Sequence, residues 1–218
     1  MRHVRKGAEP SELTDWKLLE NEDWTPTYPT LQNPQKAILK SQLLAEQFFT
    51  CCYCGRSINS SDSHIEHFRP QEAAPELQLK YSNLLASCIR ETPKNSQLHC
   101  GHLKDSWFEE NLAISPLDET CESRFSYLLT GVIHTSQTED VPAQTMIEVL
   151  GLNSEYLKNR REAALQGAFD ASFLETTTIN ELDSLIEGFS QPIEGKLQSF
   201  YHVIVRFAHW QKAFLANA

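Results

Sequence analysis

Two sets of side chains between Cys51 and Lys104 have the types and spacing to do chemistry. The first is a cysteine set: Cys51-Cys-Tyr-Cys54, then Cys88, then Cys100. A C-x-x-C pair presents two thiolates to one tetrahedral zinc, and Cys88 and Cys100 would complete a four-cysteine site. Cys52 with Cys54 is the alternative first pair, and Cys121 stands apart as a structural thiol. The plainer reading is four buried thiols acting as small hydrophobes. The second set lies between the cysteines, in His64-Ile-Glu66-His67-Phe-Arg69-Pro70. Hydrolysis of a phosphodiester needs a base to activate water and a cation to neutralise charge on the phosphate. His67 titrates near neutrality and suits the base. Glu66 offers a hard oxygen to Mg²⁺ or Mn²⁺, provided the strand ends or twists so that neighbouring side chains serve one site. A Glu-His pair is weak alone; its place between the cysteines gives it meaning. His64 alternates with Glu66 and could approach the same metal, but reads more simply as a surface histidine.

The elements that must position these groups follow from periodicity and turn chemistry. Residues 11–20 read as a short helix with Leu13, Trp16 and Leu19 to one side. Asn33-Pro34 offers an N-cap and a proline in the first helical position. The helix that follows, through Ile38, Leu43 or Leu44 and Phe48, runs into the cysteines. Residues 51–67 read as a small hairpin, and a short helix through Lys104, Trp107 and Phe108 follows the last cysteine. Beyond residue 110 the pattern is mostly helical. Val141–Leu150 carries Met146, Val149 and Leu150 on one face and stops at Gly151. Ser154–Phe169 turns Leu157 and Leu165 inward. Thr178 and Glu181 form a capping box for a helix reaching about Phe189. Ile193–Leu215 reads as the longest helix, with Leu197, Phe200 or Tyr201, Ile204 and Phe207 or Ala208 as its stripe. The expected fold class is α+β and predominantly α-helical, with a small zinc-pinned ββα-metal core embedded among helices.

The order C-x-x-C, E-H-x-x-P, N-L-x-x-x-C, C-x-x-x-K resembles HNH endonucleases with a structural zinc knuckle. Ile-Glu-His-Phe-Arg-Pro70, the Tyr81-x-Asn-Leu-Leu-x-Ser-Cys88 block, Ser115-Pro-Leu-Asp118, and Leu150-Gly-Leu-Asn153 with Arg160 or Arg161 are similar to PtuB-type nucleases of Septu and retron-associated anti-phage systems. The nuclease motif covers about a quarter of the chain. The resemblance implies a β-hairpin and helix gripping one catalytic metal, with His67 as general base and Glu66 as metal ligand. It implies that Asn83 braces the loop between strand and helix, and that Cys51, Cys54, Cys88 and Cys100 hold structural zinc. The chain departs from the pattern at Gly101, where an Asn or His commonly completes the metal site, so His102 becomes the candidate ligand. An insertion, Ile89–His99, splits the second cysteine pair and keeps His99 open in place of Cys100. Arg69 and Lys104 are candidates for phosphate contact. The implied partners are a nucleic acid, a PtuA-type ABC-like ATPase, and a retron reverse transcriptase with its RNA–DNA hybrid. DNA is the default substrate, and the bare motif does not exclude RNA.

At 218 residues with 40% hydrophobic and 22% charged side chains, the chain has a globular composition. No apolar run approaches the roughly 18 residues that span a bilayer, and the basic N-terminal residues lead into no hydrophobic stretch, so a cytoplasmic protein is expected. Clustered cysteines in a reducing compartment more often hold metal than pair with each other. The net charge of −10 is awkward for a nuclease, because polyanions repel acidic proteins. Residues 111–218 carry 7 basic and 14 acidic side chains and read as a partner-docking helical region. Residues 1–50 read as an N-terminal helical segment packing on the core, and 51–110 as the nuclease core. A zinc-stabilised interaction module with a decayed site is the competing reading, and Gly101 is what favours it.

Overall fold

The computed structural model of the protein describes residues 1–89 and 97–217. Two short helices come first, α1 (Ser11–Lys17) and α2 (Gln35–Glu46), followed by two strands, β1 (Ser63–His67) and β2 (Leu84–Cys88), and a one-turn helix α3 (Gly101–Lys104). A second strand pair, β3 (Phe125–Tyr127) and β4 (Ile133–Thr135), precedes five helices: α4 (Val141–Val149), α5 (Glu155–Ala168), α6 (Ala171–Thr176), α7 (Ile179–Ser190) and α8 (Tyr201–Ala216). The class is therefore α+β and predominantly helical. No helix among the described residues is long and apolar enough to cross a membrane.

β1 and β2 pair antiparallel, with His64 opposite Ser87, Glu66 opposite Leu85 and His67 opposite Leu84. This corrects the hairpin expected within residues 51–67. The segment from Cys51 is instead a tight turn closed by Gly55 N–H to the Cys51 carbonyl at 3.0 Å and by the Thr50–Ser57 bridge, and the strand partner of β1 lies some twenty residues further on. β2 is buried along its whole length, so its outer edge needs partners. Gln47 supplies them: its side-chain oxygen accepts the Ala86 N–H at 2.7 Å and its amide donates to the Ala86 carbonyl at 2.8 Å. One amide side chain thus stands in for a strand residue and fixes the end of α2 to β2.

Several helix boundaries differ from the expected ones because tertiary hydrogen bonds take the backbone elsewhere. α2 stops at Glu46, since Phe48 and Phe49 both take positive φ, and it buries Leu39, Leu43 and Leu44, leaving Ile38 half-buried. Pro34, not Asn33, occupies the cap position. Leu19 is exposed beyond the end of α1. In α4, Ala143, Met146 and Ile147 are buried, while Val149 is half-buried. The long helix expected from Ile193 begins only at Tyr201. Leu197 donates its N–H to Phe48 at 3.1 Å and Phe200, in the left-handed region, donates to Gly55 at 2.8 Å. Those two bonds hold the preceding segment against the Cys51 turn and forbid a continuous helix. The β3–β4 hairpin interrupts the helical pattern expected beyond residue 110, and Gly131-Val-Ile133 is its turn-strand signal.

The later sequence signatures have a structural role in this hairpin. Asn153 donates to and accepts from the backbone of Ile133 at 2.9 and 3.0 Å. Of the two candidate arginines, Arg161 is the buried one, donating to the carbonyls of Gly131 at 2.7 Å and Leu152 at 2.6 Å. Gly131 takes φ +74°, and a Cβ there would meet the Lys158 carbonyl at 2.0 Å. Thr178 and Glu181 form the expected reciprocal cap of α7. Replacing Arg161 by Met would strand two buried carbonyls, so Arg161→Met should lower unfolding free energy by roughly 2–4 kcal/mol in urea titration. Arg160→Met should change it by less than about 0.5 kcal/mol.

Candidate functional site

The sulfurs of Cys51, Cys54, Cys88 and Cys100 lie within 4.8 Å of one another, and all four residues are buried. They come from three local devices. Cys51 and Cys54 sit in the tight turn after α2, Cys88 ends β2, and Cys100, at φ +58°, precedes α3. Sulfurs bound at about 2.3 Å to a tetrahedral ion lie about 3.8 Å apart, and those of Cys54 and Cys88 are 3.7 Å apart. The donor set and its spacing fit a metal ion such as zinc. Cys52 is buried outside this group, and Cys121 lies elsewhere in the core. His99 borders the cluster, its Nδ1 3.2 Å from the Cys100 sulfur and 3.6 Å from that of Cys88, with its ring stacked on Tyr156. Residues 90–96 of the insertion lie outside the described residues.

Four buried thiols so close cannot all ionise unaided. Cys51 is held well below the ordinary thiol range: burial opposes this, but hydrogen bonds from Cys100, Cys52, Cys54 and Cys88 outweigh it. Cys100 is pushed well up by burial and by its neighbours Cys51, Cys54 and Cys88. One sulfur takes the charge while others keep protons. A divalent cation removes this conflict, because metal-bound thiols release their protons together.

Next to this cluster, β1 presents its polar residues. Strand alternation places His64 and Glu66 on one face and His67, the last residue of β1, on the other. Glu66 is 6% exposed. Its Oε1 accepts from the Tyr53 hydroxyl at 3.0 Å and faces the Lys104 ammonium at 3.1 Å. Its Oε2 meets His64 Nε2 at 3.1 Å. Burial pushes the carboxyl up, but His64 and Lys104 together bring it below the usual range, so Glu66 is ionised. His64 answers in the opposite direction: burial lowers it, and the hydrogen bond and charge of Glu66 raise it overall.

His67 turns away from this group. Its Nε2 lies 3.0 Å from the Gln78 carbonyl, and its ring meets Tyr28 edge-on at 4.5 Å. A carbonyl can only accept, so Nε2 carries the proton and Nδ1 keeps its lone pair. Burial lowers the imidazole below its ordinary value, in spite of the Gln78 carbonyl, so it is neutral at pH 7. Asn83 ties down the loop that follows: its Oδ1 accepts the Arg69 N–H at 2.8 Å, and its amide donates to Arg69 and Leu77 at 3.0 and 3.2 Å.

Lys104 is 2% exposed, with its ammonium turned onto Glu66 and, at 3.2 Å, the His67 carbonyl. It is therefore not offered to a phosphate from solvent. The helix expected from residue 104 ends there, because Asp105 takes positive φ once Lys104 is drawn inward. Arg69 pairs with exposed Glu110 and lies over the Phe108 ring at 4.8 Å. The His102 ring stands edge-on to that of His64 at 4.8 Å. Among the described residues, the group of three or more clustered ligand atoms is that of the four cysteines; His102 does not close such a group with Glu66. Gln47 and Tyr53 carry no signal of their roles in the sequence. His64, which reads from sequence as a surface histidine, is instead a partner of Glu66, and their period-two spacing is the signal that could find it. A cleft of about 770 Å³ opens alongside β1, lined by Tyr28, Asn33, Lys36, Lys40, His64 and Ile65 among others.

No family model matches the chain. Among curated proteins it is similar to a Septu protein PtuB of Bacillus thuringiensis, with 28% identity over 162 residues, 70% of this chain and 55% of that protein. The chain thus spans about half the length of the curated relative it matches.

The cluster geometry separates Cys51, Cys54, Cys88 and Cys100 from Cys52 by position. Metal analysis of purified protein should find one zinc per chain in wild type and in Cys52→Ser. Cys54→Ser and Cys88→Ser should lose it and expose the turn to proteolysis. Retention of zinc in both of those variants would exclude the four-cysteine site.

Proposed function

We propose that this chain is a metal-dependent endonuclease of the HNH type, acting as the effector of an anti-phage defence complex with a PtuA-type ABC-like ATPase. The observation that carries the reading is the arrangement of an antiparallel strand pair and a following one-turn helix around four clustered cysteines, with ionised Glu66 and neutral His67 at the end of the first strand. The likeness to a Septu protein PtuB supports the defence role and the ATPase partner. The resemblance to retron-associated relatives extends the partner set to a reverse transcriptase and its RNA–DNA hybrid.

In this reading Cys51, Cys54, Cys88 and Cys100 hold structural zinc, with His99 as a neighbour able to donate an N–H to sulfur. Glu66 and the imidazoles beside it would hold Mg²⁺ or Mn²⁺, which supplies charge neutralisation at the phosphate when bound. Nδ1 of His67 takes the proton of the attacking water, and the Gln78 carbonyl fixes the ring and stabilises the imidazolium that forms. Asn83 holds the Arg69–Leu77 loop so that His67 keeps its orientation. Tyr53 and Lys104 hold Glu66 in place and keep it ionised.

The cleft beside β1 gives a phosphodiester a route to this site. Lys36 lies over the Tyr28 ring at 4.7 Å, and Lys40 reaches the carbonyls of Ser60 and Ser63. These cations offset locally the acidity of residues 111–218. That acidic region serves partner docking in this reading, and limits non-specific binding until the complex presents substrate. The rival, a zinc-stabilised interaction module, draws on Gly101. Against it stands a buried carboxylate held ionised at the cost of its desolvation, an arrangement that a scaffold could replace with an apolar residue.

The test is cleavage of plasmid DNA and of total cellular RNA in Mg²⁺ or Mn²⁺, with the ATPase partner present, by zinc-matched wild type and His67→Ala. Loss of the base should reduce the rate by about 10²–10⁴-fold, and the nucleic acid degraded identifies the substrate. Equal cleavage by the two proteins would remove His67 from the chemistry; no cleavage by either would favour the scaffold. Because His67 is lowered by burial, its neutral form persists to lower pH than an ordinary histidine. The rate in the wild type should therefore rise with pH along a single-proton limb centred below the ordinary histidine value of about 6.5.

A further inference from the structure

Gly101 occupies the position at which the resemblance expects a metal-binding asparagine or histidine, and its surroundings contain the replacement. A Cβ at residue 101 would lie 2.3 Å from Oε2 of Glu66 and 2.7 Å from Nε2 of His64. The volume that a side chain at residue 101 would use is thus already filled by the Glu66 carboxylate and the His64 imidazole together. Even alanine would collide there, so Gly101 is required by the way His64 and Glu66 meet.

The geometry of that meeting fits a shared ion. His64 Nδ1 lies 2.8 Å from the Ile89 carbonyl and must donate to it, which fixes the ring with Nε2 towards Glu66. Nε2 and Oε2 are 3.1 Å apart. Neighbouring ligands of an octahedral Mg²⁺ or Mn²⁺, each bonded at about 2.1 Å, lie about 3 Å apart. Oε1 is engaged by Tyr53 and Lys104, and Oε2 faces Nε2 of His64, whose proton on that nitrogen a cation would displace. The i, i+2 spacing on β1 brings the two ligands to one face without help from the helix. His102, edge-on to the His64 ring at 4.8 Å, limits how that ring can tilt.

We infer that His64 is the imidazole ligand of the catalytic divalent-cation site, replacing from the strand the ligand that residue 101 cannot supply, with Glu66 Oε2 as the carboxylate ligand. This rests on the nuclease reading above and assigns His102 to positioning. It also turns the glycine from a sign of decay into a consequence of moving one ligand.

The experiment is pulsed electron paramagnetic resonance of Mn²⁺ bound to the full, zinc-loaded chain. Wild type and His102→Ala should both show nitrogen coupling from a directly bound imidazole, and in wild type grown with ¹⁵N-histidine the coupling should change isotope. His64→Gln should lose the coupling and weaken Mn²⁺ binding by about tenfold or more, with zinc content and circular dichroism unchanged. Absence of nitrogen coupling in wild type, which needs no variant, overturns the inference; so does coupling that survives in His64→Gln. Cleavage assays run in parallel keep the two readings apart. Wild-type cleavage by His64→Gln, with His67→Ala inactive, would remove His64 as a ligand and leave the nuclease standing. Mn²⁺ bound through His64 in a protein that cuts nothing would keep the ligand and remove the nuclease.

Discussion

Four cysteine sulfurs are enclosed within 4.8 Å of one another in the buried core. Without a cation such a cluster sets desolvation and mutual repulsion against ionisation. With one, the same four groups become a cross-link between three segments distant in sequence. Around it the structure is closely fitted. The Cys51 turn receives Phe200 from the start of α8, Gly55 lies directly beneath the His202 ring, and Cys100 donates its N–H to Leu150 at the end of α4 at 2.8 Å. The C-terminal helices therefore pack on the cluster itself, and a change in one of its sulfurs is felt on both sides of the molecule.

A second constraint is the buried charge of Glu66. Removing a carboxylate from water costs several kcal/mol unless donors replace the lost solvation. Here Tyr53 and Lys104 each supply one at Oε1, and His64, when its imidazole is protonated, supplies a third at Oε2. The three come from the cysteine turn, from α3 and from β1, so the carboxylate position reports whether all three are assembled. This explains why Lys104, which looks from sequence like a phosphate contact, is buried. A cation is needed inside the protein more than at its surface. Gly101 follows from the same crowding, since the helix must come close enough for Lys104 to reach Glu66 and can do so only without a side chain at that point. The two sides of β1 are thereby separated, with an ionised carboxylate on one face and a neutral imidazole, aimed by the Gln78 carbonyl, at its end.

The four clustered cysteines and the polar pair of β1 were legible in the sequence because their spacing is constrained locally. C-x-x-C, E-H-x-x-P and the distant Cys88 and Cys100 identified the sulfur set and the two polar residues of β1, and the capping signals at Thr178 and Gly151 stand at their expected places. These features depend on a few neighbouring backbone angles. Sequence periodicity failed where long-range hydrogen bonds prevail over local preference: at Leu197 and Phe200, held to the cysteine turn, and at Gln47, whose amide completes the edge of β2.

The set of clustering cysteines and the predominantly helical α+β class can be read from the chain alone, since side-chain type and period-3.6 patterning survive without knowledge of contacts. Which atoms face one another is settled by packing: Cys51 over Cys52 within the sulfur group, Arg161 over Arg160 beneath the hairpin, Lys104 inward on Glu66, and His64 in the space above Gly101. Each choice turns on a distance across segments separated by tens of residues or on the side of a strand from which a side chain emerges. Spacing along a chain cannot encode those distances, because they are set by how the packed elements exclude water and satisfy buried polar groups together.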